Sequence, residues 1–120
     1  MDNKAESITD ILEEWVELKG QLEELFRARD LKNVSEMMKT GITLFIQFLS
    51  WSNEKQALLD DPKTFNQLEF KPVNLDERLL FINSRPNLYH SFRQLSELMI
   101  EQEKLFAKRN IIKKASKPNG

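Results

Sequence analysis

His90 is the only histidine in the 120 residues, and there is no cysteine. Chemistry in this chain must therefore come from carboxylates, amines, guanidinium groups, hydroxyls and one imidazole. A zinc or di-iron site needs several His, Cys or carboxylate ligands converging on one point, and the chain contains no Glu-x-x-His and no His-x-x-x-His. Projected onto a helix, His90 shares a charged face with Arg93, Glu97 and Lys108, the setting of a surface imidazole that follows local charge. Ser91 and Ser96 lack the orienting acid and oxyanion site that a Ser-His nucleophile requires. Gly20, Gly41 and Gly120 are isolated, so no glycine-rich loop is available to cradle phosphate. Glu13 and Glu17 stand one helical turn apart as a solvated face rather than an acid and base couple. These residues assign no catalytic, metal-binding or cofactor-binding role, and the expectation is a protein that is not an enzyme.

The polar groups with more to offer are basic. Lys71, Arg78, Arg85, Tyr89 and Arg93 fall around an irregular stretch and the two helix starts beyond it, where they form a candidate partner-binding patch for an acidic peptide or a phosphate group. The competing assignment has the arginines paired with Asp60, Asp61, Asp76 and Glu77, tying the irregular stretch down. A second cluster lies at the far end. From Lys104 onward there are six bases and no acidic side chain, whereas Met1 to Asp30 carries nine acids and four bases. Lys108, Arg109, Lys113, Lys114 and Lys117 are therefore candidates for nucleic-acid contact, which would weaken steeply with salt. A pI near 5.9, an acidic first segment and the lack of tail aromatics beyond Phe106 weigh against that role. Internal neutralisation between the two ends of the chain is the plainer use of the gradient.

Helices position these groups. Ile8, Ile11, Leu12, Trp15, Leu18, Leu22, Leu25 and Phe26 recur at spacings of three and four, predicting a helix from Ser7 to about Arg29, with Ser7 and Asp10 as a capping box. Arg29 to Lys32 is a short connection, which favours an antiparallel neighbour. Asn33 and Glu36 give a second capping signature, opening a helix to about Ser52. Within it Val34, Met37 and Met38 lead into Ile42, Leu44, Phe45, Ile46, Phe48, Leu49 and Trp51. Only Thr43, Gln47 and Ser50 interrupt this apolar run, and they form one narrow polar seam, the pattern of a helix enclosed by its neighbours. The methionine pair is adaptable core filling.

Asn53 to Asn74 has no clean period. Gln56 to Leu59 can extend the helix by one or two turns until Asp60, Asp61 and Pro62 end it. Phe65, Leu68, Phe70 and Val73 then serve as apolar anchors of a crossing segment around Lys63 to Val73. Asn74 and Glu77 form a third capping pair, opening a short helix through Leu79, Leu80, Phe81 and Ile82 that Arg85-Pro86 closes. The last helix is expected from Asn87 to Ile111, with Leu88, Phe92, Leu95, Leu98, Met99, Leu105 and Phe106 on its inner face, and Ala115 to Gly120 fraying.

A chain of this length sits at the size of one domain. Its 40% hydrophobic and 31% charged residues, with eight Phe and two Trp, argue against disorder. The longest apolar run, Ile42 to Trp51, falls short of the roughly 20 residues that span a bilayer. Met1 to Asp10 lacks a basic stretch followed by an apolar run, so neither membrane insertion nor secretion is expected, and a cytoplasmic location is the default.

The run Arg85-Pro86-Asn87-Leu88-Tyr89-His90-Ser91-Phe92-Arg93-Gln94-Leu95, with Glu103-Lys104 and Ala107-Lys108 beyond it and Asn74-Leu75-Asp76-Glu77-Arg78-Leu79 before it, resembles the C-terminal part of the YpoC-like family of bacterial proteins. The shared features are capping, core and polar positions over about a third of the chain. The resemblance implies a small helical bacterial domain and carries over no site residue. The reading is an all-α single-domain bundle of four main helices over residues 1–112, with a basic C-terminal tail over 113–120. It has no assigned cofactor, and its expected role is a protein-interaction module or adaptor, with nucleic-acid association as the alternative. Self-association is compatible with it.

Overall fold

Ser7 opens the first helix as its composition suggests. Its hydroxyl accepts the Asp10 amide at 3.2 Å and its carbonyl accepts that of Ile11, giving partners to N–H groups that the first turn leaves bare. A computed structural model describes residues 7–54 and 67–116, the last four by backbone alone. Four helices follow in order: α1 Ile8–Arg27, α2 Leu31–Ser52, α3 Leu75–Ser84 and α4 Tyr89–Ser116. No strand occurs among the described residues, and the fold is an all-α single-domain bundle. No helix among those residues is long and apolar enough to cross a membrane.

The turn between α1 and α2 is tighter than expected, and its cap lies three residues earlier. Asp30, not Asn33, is the N-cap of α2. One Asp30 oxygen accepts the Asn33 amide and the other accepts the Asn33 side-chain N–H at 2.7 Å. Arg29 makes this possible by taking a left-handed conformation at φ 59°. Its N–H then donates to Phe26 and that of Asp30 donates to Leu25, the paired bonds of a Schellman ending. Asp30 thus finishes one helix and starts the next, so α1 and α2 return antiparallel.

Helix α2 is enclosed. Val34, Met38, Leu44, Phe45, Ile46, Phe48 and Leu49 are all buried, while Thr43 is exposed and Gln47 and Ser50 are half-buried, so the polar seam lies where the pattern places it. Trp51 does not join the core, however, and is 46% exposed. At 100° per residue it lies beside Gln47, on the margin of the seam.

Both α1 and α4 press on α2 at Gly41. A Cβ placed there would stand 2.9 Å from Leu95 Cδ2, 3.2 Å from Trp15 Cζ3 and 3.4 Å from Leu18 Cδ2. Glycine is needed at this position, and its absent side chain lets two neighbours approach one helix at the same level. Further along, Phe48 meets Phe106 edge-on at 6.0 Å, so α2 and α4 run parallel. Phe26 near the end of α1 meets Phe92 near the start of α4 at 5.5 Å, so α1 and α4 run antiparallel. Arg78 and Phe81 of α3 face Glu101 and His90 of α4 respectively, which makes α3 antiparallel to α4. The helices therefore alternate in direction, and the α1–α2 and α3–α4 turns share one end.

The crossing segment enters α3 through a polar clamp. The Asn53 amide donates to the Phe70 carbonyl and its oxygen accepts the Phe70 N–H, both at 2.9 Å, and buried Gln102 donates to the same carbonyl at 2.9 Å. Leu68 is buried and Phe70 half-buried, but the Val73 side chain is 73% exposed rather than packed in the core. Phe65, the Gln56 to Leu59 extension and its stop at Asp60, Asp61 and Pro62 lie outside the described residues. Asn74 precedes α3 but makes no side-chain cap bond; it sits in the left-handed region at φ 56° rather than in the extended backbone usual for an N-cap. Leu88 lies in the turn before α4 and is 39% exposed rather than on the inner face. Helix α4 begins at Tyr89 and continues through Ser116, five residues beyond Ile111. The sequence from Ile112 to Ser116 contains no Gly or Pro, and its lysines suit the negative end of a helix.

Truncating Phe45, which is fully buried, to alanine should cost about 3–5 kcal/mol of unfolding free energy in a urea titration. Gly41→Val should cost about 1–3 kcal/mol by overpacking, despite replacing a poor helix former.

Candidate functional site

The basic residues singled out by sequence divide between two ends of the bundle. Lys71 is half-buried beside the Phe70 clamp, and Arg78 lies one turn into α3, facing the middle of α4. Arg85, Tyr89 and Arg93 are exposed at the α3–α4 turn. Arg78 reaches Gln94, the neighbour of Arg93, but its terminal nitrogens are taken up by Glu101.

Arg78 is committed internally. Its two terminal nitrogens bind the Glu101 carboxylate at 2.9 and 2.6 Å, the first of them also reaches the Val73 carbonyl at 3.0 Å, and Nε donates to Gln94 Oε1 at 3.3 Å. A bidentate fork of this kind fixes orientation as well as charge. The hydrogen bond to Glu101 holds the guanidinium pKa above its ordinary range; partial burial opposes that, and the charges of Glu101 and Glu97 assist it. The arginine does tie a segment down, but its partner is Glu101 on α4, not the neighbouring Asp76 or Glu77. Asp60 and Asp61 lie outside the described residues.

The other three residues meet new company at the turn end. Tyr89, 52% exposed, packs edge-on against Phe26 at 5.3 Å and lies 5.6 Å from Phe92. Phe26 is bonded through its carbonyl to the N–H of Arg29, so the aromatic contact joins the α3–α4 turn to the α1–α2 turn. Arg27, Arg29 and Lys32 are exposed there. Their acidic neighbours are already engaged: Glu24 pairs with Arg27 at 2.9 Å and Asp30 caps α2. The Tyr89–Phe26 contact thus brings together two turns in or next to which Arg29, Lys32, Arg85 and Arg93 are exposed, as are Leu31 and Leu88 at 45% and 39%. Arg27, Arg29 and Lys32 were absent from the sequence-derived patch, although an alternating bundle puts the first and third turns together. His90, just beyond, stacks edge-on against Phe81 at 5.3 Å.

The C-terminal candidates are also divided. Lys108 is exposed on α4. Arg109 turns inward, its side chain only 11% exposed, to pair with Glu54 while its guanidinium lies 5.9 Å from the Phe106 ring centre. Lys113 and Lys114 belong to the helical backbone of α4, and Lys117 lies outside the described residues. Among the described residues, no group of three or more His, Cys, Asp or Glu side chains is placed to hold a metal ion.

Comparison with known proteins gives a consistent picture. The model of the YpoC-like protein family matches residues 5–114, far more than the third of the chain that carries the resemblance in sequence. The "uncharacterized protein YpoC" of Bacillus subtilis (strain 168) is 31% identical over 100 residues, covering 82% of this chain and 61% of that relative's length. The chain thus spans less than two thirds of the relative it matches. No solved structure matches it significantly.

Glu101→Ala would leave the Arg78 fork without its acceptor in a site where the arginine side chain is 16% exposed. The expected loss is about 1–2 kcal/mol, held down by the 39% exposure of Glu101, and thermal unfolding by circular dichroism measures it.

Proposed function

This chain belongs to the YpoC-like protein family, and from that premise we propose that it is a non-enzymatic protein-interaction module. It receives an acidic segment of a partner at the corner where the α1–α2 and α3–α4 turns meet. The supporting observation is the edge-on contact of Tyr89 with Phe26, which joins the two turns while the tyrosine stays half in solvent, with Arg29 and Arg85 exposed in those turns and Arg93 exposed one helical turn beyond Tyr89. An exposed aromatic flanked by arginines supplies both contact area and charge-assisted hydrogen bonds, the combination that anchors recognition sites. The corner stands on helix ends held by Schellman bonds and aromatic packing, so little ordering cost attends binding.

Nucleic-acid association is a second reading. Exposed Lys104 and Lys108 favour it, with Lys113 and Lys114 continuing along the same helix, while the pairing of Arg109 with Glu54 removes one of its bases.

A fluorescein-labelled peptide of alternating Glu and Leu, followed by anisotropy, tests the proposal. Binding should weaken at least about tenfold in Arg85→Glu/Arg93→Glu and several-fold in Tyr89→Ala, with unchanged far-UV circular dichroism. Equal binding by the double variant would remove the corner from consideration. Salt-steep capture of a labelled oligonucleotide, lost in Lys104→Glu/Lys108→Glu, would move the function to the second reading.

A further inference from the structure

Helix α4 runs on past the bundle that it helps to build. Asn53 caps α2, and the next residue, Glu54, pairs with Arg109, so parallel α2 stops at the Arg109 level while α4 continues to Ser116, about 10 Å further along its axis. The other helices stop sooner. Trp15 and Leu18 stand level with Leu95 at Gly41, so antiparallel α1 begins at Ile8 about two turns beyond Leu95, near Gln102. Arg78, one turn into α3, holds Glu101, which puts the start of α3 at a similar level. Among the described residues, the last stretch of α4 is therefore a helix with no other helix alongside.

That stretch keeps large apolar side chains in water. Ile111 is 67% exposed and Ile112 46%, and exposed Lys104 and Lys108 fall with them within about a third of the helix circumference at about 100° per residue. Lys113 and Lys114 continue the helix, Lys117 follows it in sequence, and no acidic side chain occurs from Lys104 onward. The acids of the bundle lie behind. Glu54 is paired with Arg109 and Glu101 with Arg78, while Glu97, Glu103, Asp76 and Glu77 lie at or near the Glu101 level. Those of α1 from Asp10 onward begin near Gln102, roughly 13 Å or more along the axis from Ile111, beyond the screening length of about 8 Å at physiological salt.

We infer that this projecting end of α4 docks the protein on an anionic lipid surface, with Ile111 and Ile112 entering the headgroup layer and the lysines lying on lipid phosphates, and without a span across the bilayer. Exposed isoleucines among bases supply both parts of an interfacial contact, burial of apolar area and attraction to anionic headgroups. The alternatives use only part of this. Nucleic acid would engage the lysines, but single-strand readers also stack bases on aromatic rings, and Phe106, the one ring from Lys104 onward, is packed on Phe48. A protein partner would have to supply a groove for a convex helix end, whereas a bilayer receives it as it stands. With the protein docked in this way, the α3–α4 turn at the opposite end of α4 points away from the lipid. The inference therefore does not rest on the acidic-partner corner.

Co-sedimentation of the full chain with phosphatidylcholine vesicles containing about one third phosphatidylglycerol tests it. At low salt the wild type should pellet with these vesicles, stay in solution with phosphatidylcholine alone, and be released as salt is raised. Lys104→Glu/Lys108→Glu should lower the partition coefficient about tenfold or more. Ile111→Gln tests the apolar half of the contact: it should weaken vesicle binding several-fold with unchanged far-UV circular dichroism. Arg85→Glu/Arg93→Glu, at the other end of the bundle, should pellet like wild type. No binding to the anionic vesicles, equal binding to phosphatidylcholine alone, or binding indifferent to Ile111→Gln would each overturn the inference. So would an oligonucleotide that displaces the vesicles at a lower concentration of phosphate than the lipid provides, which would assign the lysines to nucleic acid.

Discussion

The bundle depends on how closely two helices can approach a third. At Gly41 the backbone of α2 receives Leu95 from α4 and Trp15 and Leu18 from α1 at one level, and this contact fixes the spacing of the core. Phe45, Phe48 and Leu49 fill one side of the space it leaves, and Phe92, Leu98 and Met99 fill the other, all essentially shut off from water. Interiors packed to this density tolerate little change of volume in either direction. A missing side chain at Gly41 is therefore as much a part of the core as the aromatic rings around it.

The short third helix could not hold its place by apolar contact alone, since Leu75, Leu79 and Ile82 are its only buried residues. Two polar devices supplement them. Asn53 and Gln102 hold the Phe70 backbone as a neighbouring strand would, and Arg78 grips Glu101. Among the described residues, Gln102 Oε1 is buried with no hydrogen-bond partner, and a partly satisfied polar group imposes a cost on the interior. Placing α3 in this way delivers Arg85 and Tyr89 to the same end of the molecule as Arg29.

The sequence is most informative where structure is local. Apolar spacing and local start and stop signals identify the four helices, and Ser7 marks the start of α1, because spacing and capping are decided within a turn or two. The cap of α2 is misplaced because two adjacent signals compete. Asn33 with Glu36 has the familiar spacing, but the left-handed turn at Arg29 brings Asp30 into position first. Trp51 follows the rule for large apolar residues less well than its neighbours because its angular position, not its type, decides its burial. The candidate patch is only partly legible for a different reason. Lys71 and Arg78 are close to Arg85 in sequence, yet they belong to the opposite end of α3, and Arg78 finds its acid 23 residues away. Arg29 is distant in sequence and joins through Phe26 and Tyr89, a contact that only the folded topology supplies.

The parallel course of α2 and α4 also sets an order of assembly. Helices α1 and α2 are joined by three residues, so they can pair as soon as both exist, at the small entropic cost of closing a short loop. The surface they bury on α4 lies half a chain away, and during synthesis α4 emerges after everything it must cover. Until then Phe45, Phe48 and their neighbours remain open on an otherwise finished hairpin. The interval between the completion of α2 and the arrival of α4 is consequently when this chain is most exposed to aggregation or capture by chaperones. Its length is governed by the crossing segment and α3 rather than by any element of the core.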